Sequence, residues 1–350
     1  MTLGAIQDDK LIYEVGKRIG YHAKRLGVQI NFAPVVDINT NPRNPIIGFR
    51  SFGEDKFNVA SKALNYLKGM HYYGIMGAAK HFPGHGDTET DSHLTLPSIN
   101  FSKERINEVE LYPFKELINN NLDGIMTAHL NIPNLDKTKI STLSKKVINN
   151  LLIEDLNFKG LVITDALDMK AIVDFSKGEH QDVAALNAGN DLLLMPTDIE
   201  KSIKEIKKAL KKGKIKPKRL EDAVKKNLMA KFKSGLDNFK PIKLENIVED
   251  LNQDEDFALL DRLAEESITL VKNSNSNLPF TISNDKPIGY INFGDDTFDT
   301  FLSYMNKYDD VYHINSFNND NLSQKAKDYK KIIIGLHKSD KSPFGEYKFT

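Results

Sequence analysis

The 350-residue sequence predicts an α/β fold: a (β/α)8 TIM-type barrel followed by part of a second α/β domain. Three observations carry that expectation. Short apolar runs alternate with helix-like stretches, the pattern of a parallel sheet covered by helices. The runs are apolar at consecutive positions, as in strands buried on both faces. Polar and ionisable residues (Asp37, Lys80, His81, His129 and Asp165) collect at their C-terminal ends, where such a barrel builds its active site.

Taken in order, Leu11, Ile12, Val15 and Ile19 fall at helical spacing and give the first helix. Five strands are expected at 28–36 (VQINFAPVV), 75–81 (IMGAAKH), 124–130 (GIMTAHL), 161–165 (LVITD) and 191–196 (DLLLMP). Helices are expected at 55–70, carrying Phe57, Ala60, Ala63, Leu64 and Leu67, and at 103–117. A third, at 144–156, has Val147, Leu151 and Leu152 inward and Ser144 as a suitable N-cap. The stretch 201–216 (KSIKEIKKALKKGKIK) is strongly basic. A solvated outer helix with Ile203, Ile206 and Leu210 facing in explains it better than an anion or membrane patch. Acidic residues return at once in Glu221 and Asp222. A further helix is expected at 217–233. The barrel is expected over 1–236, a linker over 237–253 and the second α/β region over 254–350. That last region opens with a helix carrying Phe257, Leu260 and Leu263, followed by apolar runs at 268–271, 288–293, 311–314 and 331–336.

Composition narrows the functional classes. The formal net charge is +0, so no global field favours nucleic acid or an anionic membrane. No apolar run approaches the roughly 18 residues of a membrane span. Cysteine is absent, which removes disulfides, thiolate metal sites and a cysteine nucleophile. Tryptophan is absent too, so any stacking on a sugar falls to Tyr, Phe or His. No basic segment followed by an apolar core opens the sequence. Compartment and oligomeric state stay open.

Residues 80–97, KHFPGHGDTETDSHLTLP, hold Lys80, His81, His85, Asp87, Glu89, Asp91 and His93 directly after an apolar run. Packing does not account for that density. Asp91 and His93 suit a dyad, in which a carboxylate on one imidazole nitrogen raises the ring's pKa and the other nitrogen moves a proton. A metal site from His81, His85, Asp87, His93 and His129 is a weaker reading. No His-x-His stands on a strand, and Pro83 and Gly84 break the helical spacing of His81 and His85. A phosphate cradle at Gly84 and Gly86 is weaker still, since no glycine-rich loop feeds a helix. In 158–172, FKGLVITDALDMKAI, a strand delivers Asp165 at its C-terminal end. A carboxylate there suits either a nucleophile or a helix N-cap. Asp168 in the next turn is the better cap.

KHFPGHGDTETDSH together with VITDALDM resembles glycoside hydrolase family 3, and more narrowly its β-N-acetylglucosaminidase branch. FAPVVDIN at 32–39, IIGFRSFG at 46–53, IMTAHL at 125–130 and AGNDLLLMP at 188–196 match in order. SITLVKNSNSNLPF at 267–280 resembles the opening of the family's second domain more loosely. The resemblance implies Asp165 as nucleophile, His93 as acid/base with Asp91 as its partner, and Arg50, Lys80 and His81 as ligands of the terminal sugar's hydroxyls. It implies a retaining exo-glycosidase for terminal β-linked N-acetylhexosamine, peptidoglycan- or chitin-derived, with no cofactor and no metal. An inactive or merely sugar-binding remnant is the alternative, and a glucosidase or phosphorolytic enzyme a lesser one. The family's barrel begins with further strands, one bearing an Asp-x-Glu-Gly-Gly type segment. Five strands in place of eight, and a second domain that stops at Thr350, lead to the expectation of a barrel lacking its N-terminal strands. The chain would then be a piece of a longer enzyme.

Overall fold

The computed structural model describes residues 2–88, 96–169, 172, 180–274, 278–279, 287–294, 297–314 and 326–337. Contacts divide the chain into two units, Met1–Thr269 and Leu270–Thr350.

In the first unit β1 (Ile30–Asn31), β2 (Met76–Phe82), β3 (Gly124–Thr127) and β4 (Leu161–Thr164) form a parallel sheet in chain order. Leu192 bridges in parallel to Ile163, which places the fifth apolar run beside β4. Four of the five expected runs thus contribute strands, the first for two residues only, and the fifth joins the sheet by a single bridge. The sheet has two apolar faces. On the inner one Ala78, Met126, Leu161 and Ile163 are buried together, with Ile30, Phe32, Leu192 and Leu194 half-buried around them. On the outer one Phe82, Ile125 and Val162 pack against helix side chains such as Leu67, Met70, Phe114 and Leu152.

The helix Asp9–Arg25 is capped by Asp8, and Leu11, Ile12 and Val15 are buried in it. Asp55 caps the helix Lys56–Tyr72 by accepting the Asn58 N–H at 2.7 Å. The two helices meet backbone to backbone: a Cβ on Gly69 would lie 2.2 Å from the Tyr13 carbonyl oxygen. Only glycine permits that approach. The helix expected at 103–117 is broken into Lys103–Arg105, a π segment Ile106–Glu110 and the helix Tyr112–Asn119. Pro113 stands in the first turn of the last piece, where its missing N–H is tolerated. The third expected helix is a π-helix, Lys146–Asp155, and Ser144 Oγ accepts the Val147 N–H at 3.2 Å.

The basic helix Ile199–Lys211 buries Ser202 and Ala209 and leaves Ile203 49 % exposed. Ile206 and Leu210 pack inward as expected, while Ser202 Oγ, turned toward Asp182 and the Asp198 carbonyl, takes the inward place beside Ile203. The run 268–271 forms no strand; Ile268 is 81 % and Val271 92 % exposed.

The helix Asp254–Glu266, grouped by the sequence with the second region, packs on the first. Arg18 donates to both oxygens of Asp256, at 2.7 and 2.8 Å, and Leu263 is buried while Phe257 and Leu260 are exposed. In the second unit β5 (Ile288–Gly294), β6 (Val311–His313) and β7 (Lys331–His337) are parallel in the order β6-β5-β7. Ile288, Tyr290 and Val311 form its core, with Phe298 and Leu302 packed against them. Among the described residues no helix is long and apolar enough to cross a membrane.

Candidate active site at the strand ends

The C-terminal ends of β1 to β4 converge on a cluster of ionisable side chains organised by one buried carboxylate. Asp37, fully buried, follows the short β1. Its Oδ2 accepts from His81 Nδ1 at 2.7 Å, and its oxygens also receive the N–H of His81 (3.1 and 3.2 Å) and of His85 (2.7 Å). Burial opposes the Asp37 charge, but His81, then His85, outweigh it and hold the carboxyl below its usual range. The carboxylate fixes the proton of His81 on Nδ1 and leaves Nε2 to face the site. Arg50 Nη2 reaches that nitrogen at 3.4 Å.

Asp165 ends β4. Its N–H donates to the Thr127 carbonyl at 3.0 Å, and its Oδ1 accepts the Ala166 N–H at 2.9 Å. Burial would raise its pKa, yet His81, His129, the Ala166 N–H and Lys80 together hold it below the ordinary carboxylate value. Lys80 responds in the opposite sense. Burial and the Arg50 charge lower its pKa, while Asp165 and Asp37 pull it back. Asp165 is therefore ionised at neutral pH, next to a desolvated cation. Asp168 is exposed and reaches this cluster only as a charge acting on His129.

The loop 83–88 is fitted closely to its neighbours. A Cβ on Gly86 would lie 1.8 Å from the Ile38 carbonyl oxygen. Gly84 has φ +128° and would press on Glu110. Those two glycines serve backbone approach. Asp87 accepts from Thr40 Oγ1 at 2.9 Å, and Asn44 donates to the His85 carbonyl at 2.8 Å. His85 is buried, and that burial pushes its pKa down to about 4. His129, also buried, sits between Thr142 Oγ1 (2.8 Å) and the Ala166 carbonyl (2.9 Å) beside Asp165.

The structure thus brings Arg50, Lys80, His81 and Asp165 into one cluster. Asp91 and His93 lie outside the described residues. Among the described residues no three His, Asp or Glu side chains gather as a metal-binding set. Asp37 was visible in the sequence only as a polar residue at a strand end, and His129 as that and as a member of the weaker metal reading. Asn44 gave no signal for the site, because the partners that tie it to the His85 loop lie 41 and 44 residues away.

The profile of the Glycosyl hydrolase family 3 N terminal domain matches residues 1–229. A Beta-hexosaminidase A from Pseudoalteromonas piscicida is 36 % identical over 260 residues, covering 67 % of this chain and 43 % of that protein. A Beta-N-acetylglucosaminidase/beta-glucosidase from Cellulomonas fimi is 29 % identical over 292 residues, covering 80 % and 52 %. The chain spans about half the length of these curated relatives. Among solved structures, a family 3 β-N-acetylglucosaminidase from Paenibacillus sp. str. FPU-7 superposes with a TM-score of 0.79 at 32 % identity, covering 95 % of this chain and 67 % of that one. With the profile covering most of the chain, the chain belongs to glycosyl hydrolase family 3.

Proposed function

We propose that the chain carries the catalytic centre of a retaining exo-glycosidase that removes terminal β-linked N-acetylhexosamine, with N-acetylglucosamine as the preferred sugar. The observation that carries this is Asp165, ionised at the end of β4 and flanked by Lys80, His81 and His129. The names of the Pseudoalteromonas and Paenibacillus relatives support the sugar.

In the first step Asp165 attacks the anomeric carbon. The bond from that carbon to the leaving oxygen breaks, and His93, paired with Asp91, gives the leaving oxygen its proton. In the second step His93 takes a proton from water as the water oxygen attacks the same carbon and releases Asp165. Arg50, Lys80 and His81 bind hydroxyls of the terminal ring. Asp37 holds His81 in the tautomer that leaves Nε2 toward the sugar. On the same reading, the parallel sheet is part of the family's barrel.

A 2-deoxy-2-fluoro aryl glycoside tests the nucleophile. Mass spectrometry should place the label on the peptide carrying Asp165 and show none in Asp165→Ala. Label on Asp37 or Asp168 would sink the assignment. Aryl N-acetylglucosaminide run beside aryl glucoside tests the sugar, and the dual name of the Cellulomonas relative makes glucoside the right competitor.

A further inference from the structure

We infer that Asn44 is the positioning residue that sets Arg50 against His81 in the sugar subsite, an inference that rests on the function proposed above. Asn44 is 5 % exposed and uses both ends of its amide. Its Oδ1 accepts the N–H of Ile46 (3.0 Å) and Ile47 (2.9 Å), closing the turn that runs into Gly48–Arg50. Its Nδ2 donates to the His85 carbonyl at 2.8 Å and to Thr88 Oγ1 at 3.3 Å. Two N–H donors on one side and a carbonyl on the other leave a single orientation for the amide.

The peptide of His85 is held from its other side as well, since its N–H donates to Asp37 Oδ1 at 2.7 Å. The same carboxylate takes Nδ1–H and N–H of His81. One series of hydrogen bonds therefore runs from the Arg50 turn through Asn44, the His85 peptide and Asp37 to the His81 ring. Arg50 and His81 are 31 residues apart in sequence and face each other at 3.4 Å. Arg50 Nη1 adds a contact of 3.4 Å to the Ile46 carbonyl, so the guanidinium rests on the turn that Asn44 closes. His85 takes part through its backbone; its buried ring turns aside to Thr88 Oγ1 at 2.8 Å. An aspartate at position 44 keeps the acceptor and loses the donor, while alanine loses both.

The test uses the full 350-residue chain with Asn44→Asp, Asn44→Ala, Arg50→Ala and the Asn44→Asp/Arg50→Ala double variant. In amide hydrogen exchange, Asn44→Asp is expected to leave peptides over 45–52 near the parent and speed exchange over 82–88 by roughly tenfold or more. Asn44→Ala should speed both. Unchanged exchange over 82–88 in both variants overturns the inference. Calorimetric affinity for N-acetylglucosamine is expected to fall about tenfold in each single variant and no further in the double variant, because one residue acts through the other. Fully additive losses would make Asn44 a structural residue only and also overturn it. Where Asn44→Asp does not fold, Asn44→Ser keeps a short acceptor for the turn, loses the donor that reaches the His85 carbonyl and should show the same pattern. A parent chain that binds no N-acetylglucosamine counts against the proposed function, and the exchange measurement then decides the role of Asn44 by itself.

Discussion

Asp37 bears most of the residue-scale burden. A fully buried carboxylate that accepts two backbone N–H groups and an imidazole is costly to remove, because each group left behind is buried without a partner. Asp37→Ala should therefore lose about 3–5 kcal/mol, the usual result of breaking a buried charged pair from one side. The pH dependence follows from the direction of its shift. Its folded pKa lies below the ordinary value of 3.8, so its stabilisation is present above that value. It fades as pH falls through the depressed folded value. Thermal midpoints of the parent should drop more steeply below about pH 4 than those of Asp37→Asn. Parallel curves would refute the linkage. At the same scale, His93→Ala should slow glycosides with poor leaving groups far more than activated aryl glycosides, since good leaving groups need little protonation. Equal losses on both would remove His93 from the acid role.

Elements are tied at the opposite end of the strands by a second buried carboxylate. Asp191 opens the fifth apolar run and accepts from Arg219 Nη2 at 2.7 Å, Lys226 Nζ at 2.9 Å and the Val162 N–H at 3.0 Å. Arg219 also donates to the carbonyls of Leu186 and Gly189. One side chain thus fixes the helix Pro217–Lys233 to the end of the helix Gln181–Ala188 and to the sheet. Arg219→Ala should cost about 3 kcal/mol in urea unfolding, with kcat of the folded fraction unchanged because the site lies at the other strand ends. A cost under about 0.5 kcal/mol would make the pair a surface-like one. The strands were legible because two-sided burial writes a continuous apolar run, and their order followed from the chain. What was illegible has a common cause. The exposure of Ile203 goes with Ser202 meeting Asp182, and the break before Tyr112 with a π segment ahead of Pro113. Both depend on partners distant in sequence or on local backbone, neither of which periodicity records. The ionisable residues of the site were readable as types at strand ends. The amide that aligns them was not, since asparagine in a polar loop looks like any turn residue.

At the scale of the molecule, the helix Asp254–Glu266 decides where the first unit ends. It is joined to the helix Asp9–Arg25 by Arg18 and Asp256, and Arg25 reaches Asp250 at 2.7 Å just before it. Leu263 goes into the same core as Leu11 and Ile12. A chain ended after Thr269 should therefore melt higher than one ended after Asn252. Burial of one leucine is worth about 2 kcal/mol, and 1 kcal/mol moves the midpoint of a domain this size by about 2–4 °C. A difference of roughly 5 °C is expected by calorimetry. Equal midpoints would show that the helix only rests on the surface.

The backbone approach of Gly86 to the Ile38 carbonyl has a consequence for recombining this gene with its relatives. The stretches 37–50 and 81–88 interlock at Gly86, at Asn44 and at Asp37, so they are inherited usefully only together. A crossover placed in the helix Lys56–Tyr72 takes each stretch from a different parent and mates two loops never selected against one another. A crossover in the helix Tyr112–Asn119 keeps them from one parent and exchanges Asp165 with its strand instead. Chimaeras of the second kind inherit a matched sugar subsite and those of the first do not, whatever the overall identity of the parents.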